Sequence, residues 1–244
     1  MGRLTEAVKH LIIINAIFFI VPQLIPNLGL QNMFALYFPE NPNFGFWQFL
    51  THMFMHGGFS HILFNMYGLW AFGTPLEQIW GRNKFLFFYF SAGLGAGTIY
   101  TLVNYFQFNS VYDQLINIGL SASDIQQILE TGSYNSQILS VISETDLSEF
   151  FATYHTPAVG ASGAIYGVLV AFGMMFPNAK LALIFFPVPI AAKYFIPAII
   201  LGDLFFGMTS YSIGNVAHFA HIGGALIGFI IAWYWKQKQF KRWD

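Results

Sequence analysis

Gly160-Ala161-Ser162-Gly163-Ala164-Ile165-Tyr166-Gly167 stands near the start of a hydrophobic segment long enough to enter a bilayer. A second apolar segment carries Ala220-His221-Ile222-Gly223-Gly224, and a third carries His61-Ile62-Leu63-Phe64-Asn65. Gly160, Gly163, Ala164, Gly167 and Ala171 form the small-residue pattern that lets a second membrane helix approach closely. Gly224 and Gly228 repeat that spacing on the face that carries His221. Two such helices bring a serine on one within reach of a histidine on the other. Packing alone accounts for a serine between glycines, but not for a histidine in an apolar span. Such a histidine is costly and normally faces the protein interior or water.

Composition sets the class. The chain is 56% hydrophobic and 9% charged, against roughly 25% charged residues in soluble domains. A soluble fold of this size has too little interior for 29 Phe, so the expectation is an integral membrane protein. Cys is absent, which excludes disulfides and thiolate chemistry.

The basic residues fall into four clusters: Arg3 and Lys9; Arg82 and Lys84; Lys180 and Lys193; Lys236, Lys238, Lys241 and Arg242. Residues 104–155 hold no Lys or Arg but carry Asp113, Asp124, Glu130, Glu144, Asp146 and Glu149. Pairs of apolar stretches separate the clusters, and a crossing needs about 20 residues. Placing every basic cluster on the inner side gives six crossings with both termini inside. The expected spans are 8–26, 58–79, 84–106, 157–177, 194–212 and 216–236. Helices are the spanning form, because the alternation of a β-barrel is missing. The first span reads as retained, since no small-residue cleavage site follows it.

The expected fold class is therefore all-α, a polytopic six-helix bundle. It forms one membrane-embedded domain over 1–244 with an outer acidic insertion at about 107–155. Residues 27–57 form an aromatic, nearly uncharged outer loop, expected to be partly embedded. The insertion reads as partly helical, with a capping box at Ser123-Asp124-Ile125-Gln126 and a stop at Gly132. The apolar stretch 181–193, broken by Pro187 and Pro189, is placed at the inner interface.

Serine needs a general base to become nucleophilic, and the neutral imidazole of His221 supplies one for Ser162. Tyr166, one turn after Ser162, offers an aromatic wall for that ring. His61 and Asn65 stand at i, i+4, so both point the same way and can donate to an oxyanion with the Ser162 amide, with Gly160 assigned to the same site. His56, Gly163 and Gly224 are assigned as supporting residues, and His218 reads as a support rather than a base. His52 and His56 are also spaced for metal. Without HExxH, Cys or a neighbouring carboxylate, no metal and no cofactor are expected. No acidic residue is placed to complete a triad. Asp203 in the fifth span is a candidate only by default, its plainer role being a helix–helix hydrogen bond near the outer half, so a Ser/His dyad is the more economical expectation.

These segments resemble the rhomboid family of intramembrane serine proteases. The resemblance covers His-x3-His-x4-His-x3-Asn at 52–65, Gly-x-Ser-Gly-x3-Gly at 160–167, Ala-His-x2-Gly-x3-Gly at 220–228, and Glu77-x3-Gly81. It implies Ser162 as nucleophile, His221 as base, and His61 with Asn65 in the oxyanion site. It also implies a site sunk below the outer surface, gated by the loop before the sixth span or by a shift of the fifth. Substrates would be single transmembrane segments of other proteins. Trp47-Gln48 stands where family members often have Trp-Arg.

The rival expectations are an inactive relative that binds transmembrane helices and, third, a small transporter. Partners are transmembrane protein substrates and the lipid bilayer, with no nucleic acid; oligomeric state is not encoded. The expected location is a bacterial cytoplasmic membrane, with the active site opening outward.

Overall fold

The computed structural model describes residues 3–183, 186–209 and 217–240. The chain is an all-α polytopic membrane protein with one small hairpin. Helix α1 (Glu6–Leu24) is followed by short turns and two short helices, α2 (Leu30–Phe34) and α3 (Gln48–Thr51), within the first outer loop. The second crossing is a continuous helix built from α4 (Phe59–Gly68), a π turn (Leu69–Gly73) and α5 (Thr74–Trp80). Helix α6 (Arg82–Asn117) is the third crossing. Then follow α7 (Ala122–Thr131), α8 (Glu144–His155), α9 (Ser162–Met175), α10 (Ala192–Met208) and α11 (His218–Phe240). Helices α1, α6 and α11 are each long and apolar enough to cross a membrane alone.

Several boundaries differ from the sequence expectation, each for a physical reason. The sequence predicts a fourth span over 157–177, but α9 begins at Ser162. Residues before it are held extended, because Leu36 and Ala158 exchange backbone hydrogen bonds at 2.9 and 2.8 Å. Gly160 adopts φ +124°, outside the helical region and open essentially to glycine. The sequence predicts a third span over 84–106, whereas α6 runs on as one helix to Asn117. In the acidic insertion the capping box is Ser121 with Asp124, two residues earlier than expected, and Gly132 does end α7. The apolar stretch after α9 folds into an antiparallel hairpin of β1 (Lys180–Leu183) and β2 (Phe186–Ala191). Residues 210–212 and 216 of the expected fifth and sixth spans, the loop between them, Lys241 and Arg242 lie outside the described residues.

Two apolar clusters result. One gathers α1, α5, α6, α9, α10 and α11 around Leu69, Leu76, Phe85, Phe88 and Val168. The other lies in the insertion, where Phe108, Leu115, Ile125, Leu147 and Phe150 close over Phe38 of the first loop. Asn41 Nδ2 donates to Tyr154 O at 2.8 Å and ties the two outer segments together.

The inner end is marked by the basic residues. Lys84 Nζ lies 4.2 Å from the centre of the Trp235 ring, and Lys236 Nζ donates to Met174 O at 3.3 Å. At the same end Glu77, buried at the foot of the second crossing, accepts from Ala7 N at 2.8 Å and Val8 N at 3.0 Å. Those first-turn amides of α1 have no partner within their own helix, and a carboxylate there also complements the helix dipole. The outer end is where α9 begins. Its 14 residues span about 21 Å at ~1.5 Å per residue, less than the ~30 Å of a hydrocarbon core. Alone, α9 is therefore shorter than a crossing, and Ser162 lies at the end away from Lys236.

Helices α9 and α11 meet through glycine. A Cβ on Gly224 would lie 1.8 Å from Gly163 O, and one on Gly228 would lie 2.5 Å from Gly167 Cα. Gly202 on α10 has nothing within 4 Å of the same position. Gly224→Ala is therefore expected to lower stability by at least about 2 kcal/mol through overpacking, while Gly202→Ala leaves it unchanged or raised. Thermal unfolding of both variants in detergent is the measurement, and equal melting temperatures would refute the close contact.

Candidate active site

The site is assembled where α9, α10 and α11 meet beneath the first loop. Ser162 is the first residue of α9, so the amides of Ser162, Gly163 and Ala164 have no acceptor within the helix. The positive end of the helix dipole is thus at the serine. The approach to Ser162 is set by the first loop: Gly160 N donates to His52 O at 2.9 Å, just beyond the Leu36–Ala158 pair. That loop is itself held by Gln48, which is fully buried. Its Oε1 accepts from Tyr37 N at 3.1 Å and its Nε2 donates to Asn43 O at 2.7 Å. The position where Arg was the resemblance's expectation is filled by a neutral amide that bridges the loop's backbone.

Ser162 Oγ and His221 Nε2 lie 2.8 Å apart. The His221 ring stacks on Tyr166, with centroids 4.1 Å apart and planes 10° from parallel. The expected pairing of serine, imidazole and aromatic wall is therefore present. Beneath it, Gly163 and Gly224 make the close contact that permits the Ser–His distance.

His61 stands across from the serine on α4. A Cβ on Gly160 would lie 2.7 Å from His61 Nε2, so this glycine also leaves room for the ring. Asn65 is buried one turn further along α4. Among the described residues neither side chain hydrogen-bonds Ser162 or His221, and His61 Nδ1 accepts from Gly57 N at 3.4 Å. His56 packs edge-on against His61 at 5.0 Å and its Nδ1 lies 3.2 Å from Phe54 O. His52 Nδ1 lies 2.8 Å from Gln48 O. The spacing that suggested a metal pair at His52 and His56 serves two separate backbone contacts.

One member of the site departs from the expectation. Asp203 of α10, from the sequence a candidate only by default, lies against His221 and is 8% exposed. Its Oδ1 lies 2.5 Å from His218 Nδ1 and 3.3 Å from His221 Nδ1, and its Oδ2 accepts from Tyr166 Oη. Asp203 is the sole acidic residue of α10. A lone carboxylate at membrane depth was the available signal, by the same cost argument that singled out His221. Asp203, His218 and His221 are also the one group of His and acidic side chains among the described residues close enough to share a cation. Their spacing is that of hydrogen bonds, the shortest being tighter than two ligands on one zinc ion allow at ~2.0–2.1 Å each.

Comparison with known proteins places the chain. A Rhomboid domain model matches residues 43–123 and 131–238. Rhomboid protein 1, mitochondrial, of Saccharomyces cerevisiae is 27% identical over 74% of this chain and 39% of its own length. Rhomboid protease GluP of Bacillus subtilis is 28% identical over 76% of this chain and 25% of its own. The human presenilin-associated rhomboid-like protein, mitochondrial, is 30% identical over 84% of this chain and 42% of its own. The chain thus spans less than half the length of these relatives.

The loop histidine that positions Gly160 carries a pH signature. Burial pushes His52 down to about 4, whereas an unfolded histidine titrates near ~6.5. Between those values the unfolded chain binds a proton that the folded one refuses. Stability is therefore complete above about pH 6.5 and falls as pH drops toward 4, by up to roughly 3 kcal/mol. His52→Gln should lose less melting temperature between pH 7.5 and 4.5 than the wild type; equal losses would contradict this origin.

Proposed function

The chain belongs to the rhomboid family, and we propose that it is an intramembrane serine endopeptidase acting on transmembrane segments of other proteins. The observation that carries the reading is the 2.8 Å approach of His221 Nε2 to Ser162 Oγ. In this reading Ser162 attacks the carbonyl carbon of a peptide bond while His221 takes its proton as general base. The oxyanion that forms lies at the amides that open α9 without an acceptor inside that helix, and His61 and Asn65 donate to it from the opposite helix. His221 then returns the proton to the leaving amine, and water hydrolyses the acyl-enzyme. His56 supports His61 through its ring, and Tyr166 holds the face of the base.

The start of α9 on the side away from the basic residues supports cleavage from the outer face, with products released outward. The whole chain reads as one membrane-embedded domain with 107–155 inserted. Among the relatives, one is named as a protease and comes from a bacterium, while two are named as mitochondrial.

A fluorophosphonate probe tests the nucleophile. Wild-type protein in detergent should label covalently, and Ser162→Ala and His221→Ala should not. Equal labelling of all three, or none in any, would sink the assignment. With a cleavable transmembrane peptide, His61→Ala and Asn65→Ala should each lower kcat by about 10- to 1,000-fold with little change in KM, since these donors act in the transition state. An unaltered kcat in both would remove them from the oxyanion site.

A further inference from the structure

We propose that Asp203 is a positioning residue for the Ser162–His221 pair, holding His221 in the tautomer whose Nε2 is free to take the serine proton. This rests on the reading of Ser162 and His221 as nucleophile and base. It adds a carboxylate on α10 to what is otherwise a dyad.

The donors and acceptors available fix the tautomer. A carboxylate only accepts, so a hydrogen bond between Asp203 Oδ1 and His221 Nδ1 requires the proton to sit on Nδ1. Neutral imidazole carries one ring proton, and with Nδ1 protonated Nε2 has a bare lone pair. That lone pair faces Ser162 Oγ at 2.8 Å. The opposite tautomer would set a bare Nδ1 against the carboxylate and an N–H against the serine, leaving the serine without a base.

The second oxygen works on the same ring by another route. Asp203 Oδ2 holds the Tyr166 hydroxyl, and the Tyr166 ring lies flat against His221. One carboxylate thereby fixes both the edge and the face of the imidazole. His218, three residues before His221 on α11, gives Oδ1 its shorter contact at 2.5 Å. With Tyr166 it anchors Asp203, so a buried anion is hydrogen-bonded on both oxygens and tolerable at this depth. A link between helices alone would need only Tyr166 and His218.

The contact matters most during the reaction. As the Oγ–H bond breaks, the oxygen's electron pair goes to the substrate carbon and the proton goes to Nε2. The Nδ1 proton stays in place. His221 becomes a cation whose Nδ1–H faces Asp203, 3.3 Å away in the resting arrangement, and the carboxylate offsets that charge where lipid and protein screen little.

The test uses the full chain in detergent and measures the rate and affinity of fluorophosphonate labelling separately. Asp203→Asn keeps an oxygen for Tyr166 and removes the charge. Its maximal labelling rate should fall about 10- to 100-fold, with apparent probe affinity within twofold and a melting temperature near that of the wild type. A wild-type rate in a folded Asp203→Asn protein would overturn the proposal. So would a parallel loss of rate, affinity and melting temperature, which is the mark of a structural role. A second measurement needs no change at Asp203: 15N–1H spectra of histidine-labelled wild type, with His221 assigned against His221→Gln. The Nδ1–H form is expected, and the Nε2–H form would overturn the proposal. Labelling retained in Ser162→Ala, or absent from the wild type, would instead overturn the nucleophile itself and the role of Asp203 with it.

Discussion

Where Gly163 and Gly167 of α9 face Gly224 and Gly228 of α11, the two backbones come so close that no side chain fits between them. Everything at the site inherits its geometry from that contact. Lipid supplies no hydrophobic drive between helices, so association rests on van der Waals contact and on polar groups that join across the gap. Glycine permits the first, and the Ser162–His221 hydrogen bond belongs to the second. The same closeness explains why the imidazole lies flat on Tyr166, since a wider spacing would leave room for the ring to turn.

Around this contact the two ends of the molecule are held by different means. At the inner end a single carboxylate, Glu77, closes the first turn of α1 through two backbone amides. At the outer end the first loop is pinned by Gln48 and reaches the serine segment through Leu36, Ala158, His52 and Gly160. The loop is thus a buttress for the residues leading into Ser162, although Phe46 at its rim is 82% exposed. The acidic insertion adds a second outer core that touches the loop through Phe38 and Asn41.

How much of this the residues disclose depends on the range of the interaction. Charge clusters and apolar length fix the crossings, because the cost of a charge in lipid is local to each residue. Ser162, His221 and Tyr166 were readable from small-residue spacing and helical periodicity, again short-range signals. The start of α9 was not. Residues 157–161 are apolar enough to continue a helix, and what stops them is a backbone pairing with Leu36, more than 100 positions away in sequence, and the φ of Gly160. Asp203 is no more than a default candidate from the sequence for a similar reason. Nothing within α10 shows that its carboxylate faces a histidine on α11, and a single acid in a span is equally consistent with a helix–helix bond.

The shortness of α9 also makes the protein a ruler. With its inner end at one face of a hydrocarbon layer of ~30 Å, the start of such a helix would sit about 9 Å inside it. An extended chain covers that depth in about three residues at ~3.3 Å each, and a helix needs about six at ~1.5 Å. For a substrate of the proposed protease, the number of residues between the reactive bond and the outer interface would be set by the length of one helix, and it would differ twofold according to whether the entering chain has unwound.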